Sequence, residues 1–346
     1  MRAARREPVD QLPVWLMRQA GRYLPEYQKI RGDGDFLSFC KDPARCAEVM
    51  RLAVERLGVD AAILFTDLLV VLEPIGLQLR YGPAGPRILN PIRAPEDVKR
   101  LKPLEDLKEL GYVLEAIART REVIPPELPL IGFAGAPFTL AAYAIEGESD
   151  SKGFVATKKF MYQHEDAWFE LLELLAVSVG QYLLAQIAAG VSAVQIFDTW
   201  VGQLGPDDYE MFVLEPTRRL FAQLPPEVPA IHFATGNPAL LPLLDQAGGT
   251  VMGLDWRIRL ADAWQWIGHR KAVQGNLDPA ALLGPPQRIR EAVLRLLEQW
   301  NGRSGYIFNL GHGVLPQTPV ENVEYLVKLV HEESRRLLER NGIGSG

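Results

Sequence analysis

Cysteine is nearly absent: only Cys40 and Cys46 occur in 346 residues, which excludes a disulfide scaffold. They bracket Asp42 and Pro43, read as a helix N-cap and first helical position, so both are expected to be reduced thiols. Positive charge is also short, with 37 Lys and Arg against 43 Asp and Glu and a formal charge of -6. With no basic run interleaved with aromatics to offset it, nucleic acid is excluded as a partner. The chain lacks a Gly-x-Gly-x-x-Gly after a strand, a Gly-x-x-x-x-Gly-Lys phosphate loop, a His-Glu-x-x-His pair and a Gly-x-Ser-x-Gly elbow, which removes support for nucleotide, zincin and serine-hydrolase chemistry. Internal repeats and low-complexity tracts are missing too. One uncharged stretch, Leu174 to Phe197, is long enough to span a bilayer. Gln181, Gln186 and Gln195 are spread through it and Gly190 interrupts it, so a buried helix ending near Ala189 and a strand over Ala193 to Phe197 are expected instead. The basic start Met1 to Pro8 is followed by no apolar segment, and a cytoplasmic protein without membrane attachment is the expectation.

What the chain does have is ordinary globular composition, 48% apolar and 23% charged, with ample material for a core. Eight short apolar runs recur, each ending in polar residues: Val14–Met17, Ala61–Phe65, Leu130–Phe133, Val194–Phe197, Ala230–Phe233, Val251–Leu254, Ala272–Gln274 and Tyr306–Phe308. Runs apolar on both faces are typical of strands covered on both sides. Helical periodicity fills Ala44–Leu57, Leu107–Arg121, Lys159–Ala189, Pro206–Leu224, Pro286–Trp300 and Pro319–Arg340. Eight such alternations predict a single-domain (β/α)8 TIM barrel over residues 1–346, with an active-site cleft at the C-terminal ends of the strands. A doubly wound open sheet is the structural alternative. Pro83–Pro103 and Glu146–Gly153 read as turn-rich loops.

The polar residues past the runs are Arg18, Arg22, Asp67, Tyr143, Asp198, Thr199, Asp255 and His312. Arg18 and Arg22 sit in Met17-Arg18-Gln19-Ala20-Gly21-Arg22-Tyr23-Leu24-Pro25-Glu26-Tyr27, with Arg31 close behind. Permanently charged planar forks suit several carboxylates or phosphates; surface ion pairs are the plainer reading. Gly21 is expected to let the backbone approach a ligand. Asp67 lies in an apolar run, Ile63 to Leu72, where a lone carboxylate is costly unless satisfied; capping the next segment is the plainer role. His312 stands between Gly311 and Gly313, either as an exposed functional ring or as a turn histidine. Asp67 and Asp198 together also suggest, weakly, a glycosidase pair.

The long motif from Met17 to Tyr27, together with Phe65-Thr66-Asp67-Leu68-Leu69-Val70, Gly132 to Leu140, Tyr143 with Glu146-Gly147, Gly253-Leu254-Asp255-Trp256, Gln274 to Pro279 and Asn309 to Gly313, closely resembles the uroporphyrinogen decarboxylase family across almost the whole chain. The resemblance implies a (β/α)8 barrel, a homodimer, no metal or cofactor, and conversion of uroporphyrinogen to coproporphyrinogen in heme biosynthesis by loss of four acetate carboxyls. It implies catalytic roles for Asp67, Arg18 and Tyr143. Asp67 would accept from the pyrrole N–H groups. Arg18, Arg22 and Arg31 would hold carboxylates, with Tyr143, Thr199 and His312 completing those contacts and Phe133 and Phe197 packing on the macrocycle. Thr199 stands where many relatives have serine, so altered packing with retained function is expected. The loop Glu146–Gly153 is more acidic than the glycine-rich form associated with the family, which weakens a lid role. Related barrel methyltransferases use a His-x-Cys and a distant Cys for zinc, which this chain lacks; a tetrapyrrole carrier is the other rival.

Overall fold

Seven of the eight apolar runs form one parallel sheet in the computed structural model, which describes residues 1–82, 85–148 and 153–342. Its strands, in spatial order, are β1 (Ala62–Ile63), β4 (Leu130–Gly135), β5 (Ala193–Asp198), β6 (Ala230–Ala234), β7 (Val251–Gly253), β8 (Ala272–Leu277) and β9 (Tyr306–Leu310). A separate antiparallel ribbon is made by β2 (Leu79–Gly82) and β3 (Gly85–Ile88). Every residue of β4, β8 and β9 is buried, as expected when helices cover the outer face, and the polar Gln274, Asn276 and Asn309 among them are hydrogen-bonded inside the sheet. One contiguous apolar core runs through the chain.

The sheet curls strongly. Gln274 of β8 and Gln195 of β5 are three strands apart, yet the Gln274 amide donates to Gln195 at 2.9 Å. The Trp15 indole N–H donates to the other end of the same Gln274 at 2.9 Å, and Gln195 donates to the Met17 sulfur at 3.5 Å. This internal chain of amides ties opposite walls together.

The first apolar run departs from the expected strand. Val14 makes a single parallel bridge to Phe308 of β9, while the Asp60 amide donates to the Val14 carbonyl at 2.8 Å. Thus the segment lies between β9 and the approach to β1 without extended pairing. Side chains take over the missing ladder bonds: Val14 N–H donates to Asp60, Leu16 N–H to Gln19 and Met17 N–H to Asn309. The structure establishes a curled, seven-stranded parallel α/β sheet rather than eight regular strands.

The uncharged stretch is a helix, Glu165–Ala188, followed by β5, as the interrupting Gly190 anticipated. It is long and apolar enough to cross a membrane, but 56% of its apolar window is buried within the protein. Two helices expected to be continuous are each divided. Pro206–Leu224 becomes Pro206–Phe212 and Leu214–Ala222; Pro216 lacks an N–H and its ring opposes the Phe212 carbonyl, which instead accepts the Trp168 indole N–H at 3.0 Å. Lys159–Ala189 becomes Val155–Gln163 and Glu165–Ala188, parting at His164. The supposed loop Pro83–Pro103 contains β3 and a short helix, Pro95–Val98. Pro86 is tolerated there because a two-stranded ribbon has only edge strands. The lid question over Glu146–Gly153 falls largely on 149–152, outside the described residues.

The loops after β5 and β6 touch backbone to backbone. A Cβ on Gly202 would run into the Thr235 carbonyl and the Asn237 amide, neither of which can swing aside. Gly202→Ala should therefore cost about 1–3 kcal/mol, read as a lowered urea midpoint; an unchanged midpoint would show that the two loops separate freely.

Candidate active site

Arg18 leaves the first apolar segment in a left-handed conformation, φ 62, which costs a residue with a Cβ roughly 1–2 kcal/mol. The turn is held by the Gln19 amide donating to the Leu16 carbonyl at 3.0 Å. Gly21 is required by this turn, because a Cβ there would stand 2.7 Å from the Arg18 carbonyl oxygen. The Arg18 side chain then lies over Gly313, whose missing Cβ would come within 2.5 Å of Cδ. Pro25 occupies the first position of the helix Pro25–Arg31, where its missing N–H costs nothing.

That helix places Arg31 in its last turn. Its guanidinium stands over Phe36, 5.6 Å from the ring centre, beside the Tyr27 hydroxyl, and its Nε is buried without a partner. Arg22 is exposed, and its charge reaches both Arg18 and Tyr27. Tyr27, Phe36, Phe39, Phe65 and Tyr81 form a continuous aromatic wall with ring centres 5.0–6.4 Å apart.

Asp67 lies just past that wall. Its Oδ1 accepts the Leu69 N–H at 2.8 Å, so the capping role and partial exposure coexist in one carboxylate. Some of its surface is reachable by solvent, but dense protein around it raises its pKa by desolvation; the Tyr81 hydroxyl, the Leu69 and Leu68 amides and the Arg18 charge oppose the rise. Tyr143, on the helix Pro137–Glu146, is pushed up to about 12 by burial. Its ring packs edge-on against Trp200 at 5.8 Å, and Trp200 packs on Phe154 at 5.0 Å.

The ends of the neighbouring strands carry aromatic rings as well. Phe133, Phe197 and Phe233 come from adjacent strands β4, β5 and β6, with consecutive ring centres 5.5 and 5.7 Å apart, and His312 follows at 6.4 Å. Thr199 is half-buried past β5, its carbonyl accepting the Thr235 hydroxyl at 3.0 Å. Asp198, by contrast, is fully buried and accepts the Thr139 hydroxyl at 2.8 Å. Thr139 in turn accepts the Trp200 amide at 3.2 Å. Asp198 thus supports the wall from behind and does not face Asp67 across a cleft, which removes the glycosidase pair.

Arg18, Asp67 and Tyr143 lie within electrostatic reach of one another, and Arg18 within reach of His312. Sequence reading missed Tyr81 and Tyr27, which touch Asp67 and Arg31. Alternation in Leu79-Arg80-Tyr81 was the available signal for the first.

At His312, Nδ1 accepts the Gly313 N–H at 2.7 Å, so the neutral ring carries its proton on Nε2. Desolvation first, then the Arg18 charge, lowers its pKa to about 4, with Asp255 opposing and Arg257 adding to the fall. A folded-state value below the usual 6.5 means this group's stabilising contribution is complete above pH about 6.5 and declines as pH falls toward about 4. NMR titration of the His312 ring should show it neutral at pH 6, and Arg18→Met should move its pKa upward. A midpoint near 6.5 in the unsubstituted protein would contradict this environment.

The profile of the family described as Uroporphyrinogen decarboxylase (URO-D) matches residues 1–333. Similar curated proteins include the uroporphyrinogen decarboxylase of Carboxydothermus hydrogenoformans, 50% identical over 336 residues and 96% of each chain, and that of Trichlorobacter lovleyi, 49% identical over 331 residues, 95% of this chain and 97% of its own. Among solved structures, a methyltransferase from Methanosarcina mazei superposes with TM-score 0.79 at 23% identity over 96% of each chain; at that identity the likeness concerns the fold. With a match spanning all but the last few residues and half of all positions identical to a curated relative, this chain belongs to the uroporphyrinogen decarboxylase family.

Proposed function

We propose that this chain decarboxylates uroporphyrinogen, converting its four acetate side chains to methyls and yielding coproporphyrinogen in heme biosynthesis. One observation carries the reading: Asp67, a desolvated carboxylate with local N–H and O–H donors, stands beside an aromatic wall within reach of Arg18 and Tyr143. A cyclic tetrapyrrole with inward N–H groups and outward carboxylates needs one central acceptor and peripheral cations. Asp67 supplies the acceptor. Arg18, Arg22 and Arg31 supply cations, Tyr143, Thr199 and the Nε2–H of His312 supply neutral donors, and Phe133 and Phe197 pack on the ring.

Each decarboxylation consumes one proton. Protonation of a pyrrole carbon next to the acetate-bearing position makes the ring cationic. The electron pair of the C–CO2 bond then enters the ring, CO2 leaves, and an exocyclic methylene remains. A proton added to that methylene and a proton lost from the ring carbon give the methyl group. Asp67 stabilises the ring cation electrostatically, and a fixed charge in a water-poor cleft acts more strongly than in bulk water. Arg18 is too weak an acid to donate readily, so its part is to hold the carboxylate while a bound water or the acetate itself carries the proton.

The fold supports an arrangement finer than seven strands. The segment Pro13–Met17 sits between β9 and the approach to β1, which supports it as the eighth stave of a closed single-domain (β/α)8 barrel spanning 1–346. We further propose a homodimer in the cytoplasm, needing neither metal nor cofactor for turnover.

Purified, chelator-treated protein should convert uroporphyrinogen to coproporphyrinogen anaerobically with nothing added; absence of coproporphyrinogen would sink the proposal. Asp67→Asn should lower kcat by about 100-fold or more while substrate affinity changes only several-fold, because the lost charge matters most when the ring is cationic. Equal losses in binding and turnover would indicate a positional role alone.

A further inference from the structure

Arg18, Arg22 and Arg31 all come from one segment of the chain, whereas a macrocycle with eight carboxylates presents acid around its whole edge. The loop after β7 carries another arginine. Asp255 shapes that loop: Oδ1 accepts the Arg257 N–H at 2.9 Å, and Oδ2 accepts the Gly236 N–H at 2.7 Å and Nη1 of Arg257 at 2.5 Å. The Asn276 amide pins both sides of it, donating to the Asp255 and Ile258 carbonyls at 2.8 Å each. The guanidinium lies over the Trp256 ring, 4.1 Å from its centre. This is a rigid mount for a side chain that remains 43% exposed while its carboxylate partner is only 4% exposed. Among the described residues, Nε and Nη2 make no hydrogen bond.

The mount also adjoins His312. A Cβ on Gly311 would stand 2.5 Å from the Trp256 amide, so the turn carrying His312 rests on the residue beside Arg257. Neutralising Asp255 alone does not require a flat, stacked fork, since that carboxylate already accepts two backbone N–H groups; one ammonium would do. A planar fork held by one arm with its other donors open fits a bidentate carboxylate partner.

We propose that Arg257 is an additional substrate-binding residue, taking a carboxylate of the tetrapyrrole on the β7 side of the rim, beside His312 and remote in strand order from Asp67. This rests on the uroporphyrinogen reading given above. Three measurements separate the two: steady-state turnover, equilibrium binding of oxidised uroporphyrin followed by fluorescence quenching, and thermal unfolding. Arg257→Gln should raise KM for uroporphyrinogen and the Kd of uroporphyrin about 10-fold, with kcat changed less than about twofold. Arg257→Lys keeps a cation for Asp255 and so preserves folding, but loses the fork; it should still raise KM and Kd several-fold. Unchanged KM and Kd in the folded Lys variant, or a lowered melting temperature as the only effect of Arg257→Gln, would overturn the inference and leave Arg257 as a cap on Asp255. If the unsubstituted protein binds uroporphyrin yet releases no CO2 from uroporphyrinogen, the decarboxylase reading fails, and the Kd comparison still decides the role of Arg257.

Discussion

The site depends on how the chain is held between Pro13 and Gln19. Proline has no N–H and the segment's one strand bridge satisfies only the Trp15 N–H, which donates to the Phe308 carbonyl at 3.3 Å, so those of Val14, Leu16 and Met17 would be orphaned in a buried place, at a cost of about 1–3 kcal/mol each. Asp60, Gln19 and Asn309 accept those N–H groups instead. Gln19 also donates to the Ala61 carbonyl at 3.0 Å, tying the segment directly to the start of β1. Because these anchors are side chains, the backbone is free to leave the strand direction at Arg18 and turn the arginine into the cleft. A regular strand through this region would carry Arg18 onward along the sheet.

From that anchor the two walls follow. One is aromatic and built by short helices and the β2–β3 ribbon; it delivers Arg31 and Tyr81. The other is the rim of the curled sheet, where Phe133, Phe197, Phe233 and His312 stand in sequence. Asp67 lies at their junction. Its carboxylate caps the local backbone and is desolvated by the same residues that would exclude water from a bound ring. The buried Asp198–Thr139–Trp200 relay fixes the helix bearing Tyr143 against β5, so a polar contact behind the wall sets a phenol on its face.

Much of this was legible in sequence where a residue's chemistry and its local pattern agree. Seven apolar runs became strands because burial on both faces leaves a plain signature. Asp42 caps its helix as the Asp-Pro pair indicated, accepting the Arg45 amide at 3.1 Å. The break at Phe212 was legible in principle from Pro216; the parting at His164 has no breaker to mark it. The β2–β3 ribbon was hidden by its glycines and prolines, and Tyr81 was lost with it. The arginines, Asp67 and His312 stood out from local chemistry and took their roles from long ordered motifs, but which of them face one another depends on the curl of the sheet, a long-range property absent from any local window. The local reason for Gly21, a close approach between parts of the same turn, was hidden in sequence, where such a glycine looks like room left for a ligand.

The fit of Arg18 over Gly313 has a consequence for how such a chain can vary. The Arg18 stem, Cγ and Cδ with Nε beyond them, occupies the volume that any side chain at 313 would need, and Arg18 already bears an unfavourable backbone angle to reach it. The two positions, at opposite ends of the chain, are therefore coupled by packing. Drift at 313 would be felt as a defect of the arginine, and a shorter residue at 18 would lift the demand for glycine.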